Sequence, residues 1–378
     1  MTTDASDLGP LARRVPEALR GTAAYHVPQP PDIRAKLDAN ELPYGLPMDL
    51  RARLGRALAD VSFERYPDPN ASALRAAVVQ ELGVRGDQLV FGNGSDESIA
   101  MLIAAFAAPR VAHEHGHGGA RPAAVLYPVP SFVYYRLAAI GRGVEPIEVP
   151  LTDRFELDEA AVERAIEAHR PSVVFFALPN NPTGTLWRME FAAELAARHR
   201  DLVVVSDEAY AAYSGKTSLP VLASHPNLVV MRTLSKVGMA GVRVGYTVSS
   251  PAIAQLLEKV RPPYNVSSID QRAAVFLLDE AREWCAARAA EVVRERRALA
   301  AALAQLPGAE VFPSEANLVL VRFGAGRATS IWQGLADRGL LVRNFDRPGP
   351  LAGCLRITVG TPEENGWLIE ALRELCAR

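Results

Sequence analysis

Residues 228–243 read LVVMRTLSKVGMAGVR, an apolar run followed by a polar turn that contains glycine. Leu228–Thr233 is an apolar, β-branched run, typical of a strand that is covered on both faces. The glycine-containing turn that follows carries the Ser235 hydroxyl, the Lys236 amine and the Arg243 guanidinium. Because open α/β sheets bind ligands beyond the carboxyl ends of their strands, this turn predicts a binding site.

Short apolar runs alternate with longer amphipathic segments along the chain as far as Pro263. The further strand candidates are Ala123–Tyr127, Val144–Leu151, Ser172–Leu178, Leu202–Ser206 and Val242–Val248. The helix candidates are Ala71–Leu82, Ser95–Ala107, Asp158–His169, Arg188–Arg200 and Pro251–Val260. This alternation predicts an α/β fold with a mostly parallel sheet and helices on both of its sides.

The character of the chain changes after Pro263. A long, Ala-rich helical stretch from Ser268 to Leu306 precedes strand, helix and strand candidates at Ala316–Phe323, Ile331–Arg338 and Leu355–Val359. We therefore expect a smaller α+β domain here. The predicted organisation is an N-terminal arm that joins the small domain (1–45), a large domain (46–265) and a small C-terminal domain (266–378).

Composition excludes several classes of partner. The formal net charge is -2 over 378 residues, so we expect neither a nucleic-acid nor a membrane partner. The three cysteines, Cys285, Cys354 and Cys376, form no disulfide framework or zinc motif. Together with the absence of a secretory signal, they favour a cytoplasmic location.

One segment, Arg110–Pro122, contains His113, His115 and His117 among glycines. Alternating histidines can bind a metal ion. No carboxylate or cysteine partner is placed nearby, so we interpret the segment as a surface insertion and expect no metal site.

Polar residues follow three further strand candidates. The turn Asn180–Gly184 and the acid Asp207, with Tyr210, stand directly after strands, and Gly92–Glu97 opens a helix whose amides suit a phosphate. The last segment nearly matches a dinucleotide fingerprint. Glu97 replaces its third glycine and no acid follows at a strand end, so that interpretation fails. The sequence also has no GxxxxGK[ST] loop.

The joint order of these motifs resembles the fold-type I pyridoxal-phosphate aminotransferases. Four further segments resemble the histidinol-phosphate aminotransferase family, namely KLDANELPYG from Lys36, RYPDP from Arg65, PPYNV from Pro262 and LRITVGT from Leu355. The resemblance covers roughly Tyr25 to Asn365. Three departures are Leu42, where the family usually has Asn, a turn from Lys236 to Arg243 that is one residue shorter than in many members, and the additional His-rich segment Arg110–Pro122.

The resemblance implies a seven-stranded, mostly parallel sheet and a role for each matched residue. Lys236 would form a Schiff base with the cofactor, Asp207 would pair with its pyridine nitrogen, and Tyr210 and Asn181 would hydrogen-bond its ring oxygen. The cofactor would also contact Gly94, Ser95, Asp96, Phe132, Asn181, Ser235, Arg243 and, from a neighbouring subunit, Tyr66. The substrate would contact Arg356, with Arg343, Tyr25 and Asn40 as helpers.

The activity implied is amino transfer between L-histidinol phosphate and 2-oxoglutarate, by a homodimer. Two alternatives keep the cofactor and change the substrate, an aromatic amino-acid aminotransferase and a phosphoamino-acid decarboxylase, because fold does not settle substrate. A non-catalytic relative would be expected to lack the lysine or to add a DNA-binding segment, and Lys236 is present.

Overall fold

The computed structural model describes residues 5–15, 19, 32–107 and 123–377. Its strands are β1 Ala35–Leu37, β2 Leu89–Asn93, β3 Ala124–Val129, β4 Glu145–Pro150, β5 Val173–Ala177, β6 Val203–Asp207, β7 Leu228–Thr233, β8 Val244–Val248, β9 Glu310–Val311, β10 Leu318–Arg322, β11 Leu340–Asn344 and β12 Cys354–Thr358. Arg110–Pro122, with its three histidines, and Tyr25 lie outside the described residues.

The helices follow the expected alternation. They are α1 Met48–Ala59, α2 Ser72–Leu82, α3 Gly94–Phe106, α4 Tyr134–Ile140, α5 Glu159–His169, α6 Glu190–Arg198, α7 Ala211–Ser214, α8 Pro251–Val260, α9 Ser268–Asp279, α10 Arg282–Leu303, α11 Arg327–Ala336 and α12 Pro362–Cys376. Short 3-10 segments lie at Ala5–Arg14, Gly86–Gln88, Leu219–Ser224 and Ala240–Val242.

The larger sheet has seven strands in the order β2-β8-β7-β6-β5-β3-β4. Its strands run parallel except for β8, which is antiparallel to both of its neighbours. The expected α/β class and mostly parallel seven-stranded sheet are therefore confirmed. Because β8 runs backwards, its first residues lie at the same edge of the sheet as the last residues of the other strands.

Both faces of this sheet are buried. In β5, Val173 and Phe175 face one apolar core, while Val174 and Phe176 face a second core on the opposite side. Successive side chains of a strand point to opposite faces, so an unbroken apolar run fills two cores at once. This arrangement explains why the strand candidates lacked an apolar–polar alternation.

The smaller sheet has five strands in the order β1-β11-β12-β10-β9. Strand β1 pairs in parallel with β11, although the two lie far apart in sequence. The N-terminal segment therefore supplies an edge strand to the C-terminal sheet. The domain boundaries at 45 and 265 stay a prediction.

The prediction of one helical stretch from Ser268 to Leu306 was wrong in one respect. The chain turns at Glu280–Ala281 and forms two helices, α9 and α10. Phe276 of α9 packs in a core of the large sheet, whereas Leu299 of α10 packs in the core of the small one. The break lets one amphipathic pattern serve two separate cores.

Candidate active site

A cavity of about 170 Å³ opens at the edge of the large sheet where the parallel strands end. It is lined by Ala39, Asn40, Ser95, Asp96, Phe132, Tyr135, Ala177, Pro179, Asn181, Asp207, Ala209, Tyr210, Thr233, Ser235, Lys236, Arg243 and Arg356. The lining comes from the segments after β2, β3, β5, β6 and β7, from the turn before the reversed strand β8, and from the small sheet, through the segment after β1 and strand β12. The topology thus brings together residues that are remote in sequence.

Lys236 projects into the cavity from the turn after β7. Its Nζ lies 3.4 Å from the carbonyl oxygen of Ala39 and 6.0 Å from the ring centre of Tyr210. Shielding from water, followed by the positive charge of Arg356, lowers the pKa of Lys236 to about 8. Near pH 7, a larger fraction of Lys236 than of an ordinary lysine is therefore unprotonated. The unprotonated amine is the nucleophilic form.

Asp207 ends strand β6, and its side chain is buried in the floor of the cavity. Its Oδ2 accepts a hydrogen bond from the Tyr135 hydroxyl at 2.5 Å, and its Oδ1 accepts one from the Ala209 amide at 3.1 Å. Burial raises the pKa of Asp207 to about 6, while the two donors oppose that rise. A cation bound beside Asp207 would stabilise the ionised carboxylate.

One end of the cavity is suited to an anion. Helix α3 begins at Gly94, and Arg243 donates to the Asp96 carboxylate at 2.8 Å beside that helix start. The backbone of Arg243 has a positive φ of 53°, a conformation unusual for a side-chain-bearing residue and often found at functional sites. Helix amides and a guanidinium together form a phosphate-type site.

Glycine permits the close approach of chain segments at this anion site. A Cβ on Gly94 would lie 2.6 Å from Nη2 of Arg243, and a Cβ on Gly245 would lie 2.4 Å from the amide nitrogen of Ser95. Strand β8 therefore packs its backbone directly behind the first turn of α3. At Gly245 the neighbours are backbone atoms and leave no room for a side chain, whereas at Gly94 a side chain would press on the flexible Arg243 guanidinium and would meet an unfavourable φ of 73°.

The N-terminal segment closes the cavity from above. Asn40, with a φ of 54°, donates from Nδ2 to the Tyr210 hydroxyl at 2.9 Å, and its Oδ1 accepts from Thr358 at 3.1 Å. Asn317 donates to the Asn40 carbonyl at 3.0 Å. Asn40 therefore links Tyr210 to strand β12 of the small sheet.

Arg356 of β12 reaches the cavity from the other sheet. It donates to Oδ1 of Asn181 at 2.6 Å and to the carbonyl of Asp38 at 2.5 Å. Its partner in the β11–β12 register is Arg343. Residues directly opposite in an antiparallel pair share a face of the sheet, and like charges there repel unless an anion joins them.

Most of the predicted site residues meet in this one cavity, and Gly94 stands directly behind it. Two others do not line it: Arg343 neighbours Arg356, and Tyr66 is 80% exposed and stacks on Tyr264 at 4.6 Å. Tyr25 lies outside the described residues. Within the described part of the chain, groups of His, Cys, Asp and Glu that suit a metal ion are absent.

Sequence reasoning missed several cavity residues, most notably Tyr135. A signal existed in its spacing, since Tyr135 follows Phe132 by three residues, which places both on one side of a helical turn. Nothing in the residue types of Ala39 and Thr233 indicates that they line a binding site. Leu42 lies outside the cavity wall and packs against Gly238. A Cβ added to Gly238 would lie 3.1 Å from Cδ2 of Leu42.

Comparison with known proteins gives consistent results. The family model described as aminotransferase class I and II matches residues 33–372. Histidinol-phosphate aminotransferase from Methylibium petroleiphilum is 44% identical over 369 residues, covering 96% of this chain and 95% of that protein. The homologue of the same name from Polaromonas naphthalenivorans is 41% identical over 378 residues, covering 98% and 99%.

A solved structure extends the likeness to three dimensions. The crystal structure of histidinol-phosphate aminotransferase from Sinorhizobium meliloti, in complex with pyridoxal-5'-phosphate, superposes with a TM-score of 0.81 at 25% identity. The match covers 96% of this chain and 98% of that one.

Proposed function

Because this chain belongs to the class I and II aminotransferase family, we propose that it transfers an amino group between L-histidinol phosphate and 2-oxoglutarate. The observation that carries this proposal is a single cavity that holds an amine, a buried carboxylate and two guanidiniums, those of Lys236, Asp207, Arg243 and Arg356. The choice of substrate rests on the relatives at 41–44% identity, which are named histidinol-phosphate aminotransferases.

The residues of the cavity fit pyridoxal phosphate. The absence of a Cβ at Gly94 and Gly245 lets the Arg243 guanidinium and the first amides of α3 lie close together, as a phosphate site requires. At the opposite side, Asp207 is a buried carboxylate whose neighbours are donors rather than cations. A pyridinium nitrogen is the kind of partner that such a carboxylate favours.

When bound, pyridoxal phosphate supplies an aldehyde that condenses with amines and a ring that accepts electron density from the substrate carbon. Lys236 would hold the aldehyde carbon, and Phe132 would stack on the ring. Asn181 accepts from Arg356 through its oxygen, so its amide nitrogen keeps the protons that a ring oxygen needs. Tyr210 would contact the same ring oxygen.

Lys236 also has the properties of an acid–base group. Its amine is shielded from water, and its pKa of about 8 lies near the operating pH. The ideal catalytic pKa lies near that pH, where a group both accepts and returns a proton. Nζ of Lys236 would therefore move a proton at the substrate carbon once the substrate amine has displaced it.

Two arginines of the small sheet, Arg356 and Arg343, suit an anionic substrate end. Arg356 and Arg343 oppose each other in register, and an anion between them removes the repulsion of like charges. The same pair would hold the phosphate of histidinol phosphate in one half-reaction and a carboxylate of 2-oxoglutarate in the other. Asn40 would support this wall through its bonds to Tyr210 and Thr358.

We also propose that the enzyme is a cytoplasmic homodimer, with Tyr66 of each protomer reaching the phosphate site of the other. Support comes from the exposure of Phe63 and Tyr66, at 75% and 80%, which is unusual for large apolar rings. The three free cysteines agree with a reducing compartment. Among the described helices, none is long and apolar enough to cross a membrane.

The assay that tests the activity measures glutamate after the cofactor-loaded protein meets histidinol phosphate and 2-oxoglutarate. Wild-type protein should form glutamate, and Lys236→Ala should form essentially none. Lys216→Ala, which removes an exposed lysine outside the cavity, serves as the matched control and should match wild type. A wild type that forms no glutamate contradicts the proposal.

A substrate panel separates the alternatives. Faster amino transfer from phenylalanine than from histidinol phosphate would favour an aromatic aminotransferase. Release of carbon dioxide from threonine phosphate, without glutamate formation, would favour a decarboxylase. Gel filtration of wild type and of Tyr66→Ala tests the proposed homodimer. A wild-type protein that elutes as a monomer would contradict that proposal.

A further inference from the structure

Tyr135 is a fully buried tyrosine that meets the floor of the cavity. It lies in the first turn of α4, and its hydroxyl donates to Oδ2 of Asp207 at 2.5 Å. The second oxygen, Oδ1, accepts from the Ala209 amide. Because each carboxylate oxygen has its own protein donor, the plane of the Asp207 carboxylate is fixed by the protein before any ligand binds.

The Tyr135 ring is itself held in one place. It stacks on Phe175 with ring centres 4.9 Å apart and an interplanar angle of 14°. Phe132 meets it edge-on at 5.7 Å and 88°, and Tyr127 packs at 5.8 Å. One rigid phenol therefore contacts both the aromatic ring proposed to stack on the cofactor and the carboxylate proposed to pair with it.

We propose that Tyr135 is a positioning residue that holds Asp207 ionised and turned toward the cavity, ready to pair with a protonated ring nitrogen. This inference rests on the proposed function, because it assumes that pyridoxal phosphate occupies the cavity. In this role Tyr135 would act through Asp207 and Phe132, which it contacts directly.

The direction of the effect follows from the charges around Asp207. Burial disfavours the carboxylate, and the nearby negative charges of Asp96 and Glu208 disfavour it further. The Tyr135 hydroxyl opposes them, because a donor to a carboxylate stabilises the ionised form. Burial together with Asp207 raises the pKa of Tyr135 well above its usual value, so the proton stays on the phenol.

The test substitutes Tyr135→Phe, which removes one oxygen and keeps the ring. Tyr127→Phe is a matched control, since Tyr127 is also buried and its hydroxyl donates to a carboxylate at 3.0 Å, that of Glu148, which does not line the cavity. Both variants lose one tyrosine–carboxylate hydrogen bond. Only Tyr135→Phe removes the bond to Asp207.

Three readouts on the purified proteins distinguish positioning from folding. Tyr135→Phe should bind pyridoxal phosphate about tenfold more weakly, as expected for a lost hydrogen bond to a charged group. The visible band of the bound cofactor should titrate at higher pH, because a ring nitrogen that loses its proton no longer repels the proton on the Lys236 linkage. The kcat should fall while the KM values stay near those of wild type.

The outcomes are distinct. Tyr127→Phe should keep the cofactor affinity and the titration of wild type, and both variants should unfold at similar temperatures without cofactor. Wild-type affinity and titration in Tyr135→Phe would overturn the inference, as would equal changes in both variants. A wild-type protein that takes up no pyridoxal phosphate would overturn the proposed function and this inference with it.

Discussion

Substituting Gly245→Ala should damage the anion site through the backbone rather than through a side chain. The new Cβ would lie 2.4 Å from the amide nitrogen of Ser95 and 2.5 Å from the carbonyl carbon of Gly94. Real Cβ atoms do not come closer than 3.0 Å to such neighbours, so the first turn of α3 must retreat. Neither neighbour is a flexible side chain that turns aside.

The magnitude follows from that geometry. A retreat from 2.4 to 3.0 Å exceeds the roughly 0.5 Å within which a functional site keeps its geometry. We expect the free energy of unfolding to fall by about 2–3 kcal/mol, as in overpacked cores. We also expect pyridoxal-phosphate affinity to fall at least about tenfold, because the Ser95 amide moves with the turn.

The assay combines urea denaturation of the cofactor-free protein with absorbance titration by pyridoxal phosphate. Gly55→Ala is the control: it lies within α1, and a Cβ there would have no neighbour within 4 Å. That variant should gain about 0.5–1 kcal/mol from helix propensity and keep its cofactor affinity. If Gly245→Ala retains wild-type stability and affinity, the close approach of β8 to the anion site is refuted.

Three further predictions concern charge. In cofactor-free protein, the free energy of unfolding of wild type should rise relative to that of Lys236→Met between pH 8 and 10.5, because in this range the unfolded chain still holds the proton that folded Lys236 has lost. Urea denaturation at several pH values measures this difference, and parallel plots of unfolding free energy against pH for the two proteins would contradict the prediction. Pyridoxal-phosphate affinity should fall as the pH drops through about 6, where the Asp207 carboxylate becomes protonated, whereas the affinity of Asp207→Asn, measured by the same titration, should be weak and insensitive to that change. Arg356→Lys should raise the KM for both substrates about tenfold by losing a bidentate contact, while Arg322→Lys, on neighbouring β10, should leave both KM values unchanged in the glutamate assay.

The large sheet could be predicted well because each of its strands is indicated by the residues of that strand alone. Each strand candidate is a short apolar run, and β5 is buried at every position, so a run of this kind has few alternatives. The polar residues at the strand ends, Asp207 and Lys236, then had to share one edge of a parallel sheet. Helix α9–α10 was harder, because its periodicity does not reveal which core each turn faces.

The missed elements depend on distant partners. Strand β1 has three residues, too few for a pattern, and becomes a strand only by pairing with Leu340–Val342. The bond from Tyr135 to Asp207 joins residues that are 72 positions apart. Neither contact follows from local spacing, whereas the chemical types that meet in the cavity were predictable from the strand ends.

The roof of the cavity has a consequence for the order in which the protein matures. The Asn40 amide donates a hydrogen bond to the Thr358 hydroxyl, and Arg356 donates one to the Asp38 carbonyl. The two residues of each pair are 318 positions apart in the sequence. A ribosome adds about 5–20 residues per second and releases the N-terminus first. The earliest residues made must therefore wait for almost the last ones before the cavity closes, and a chain cut short before β12 has a large sheet with no finished binding site.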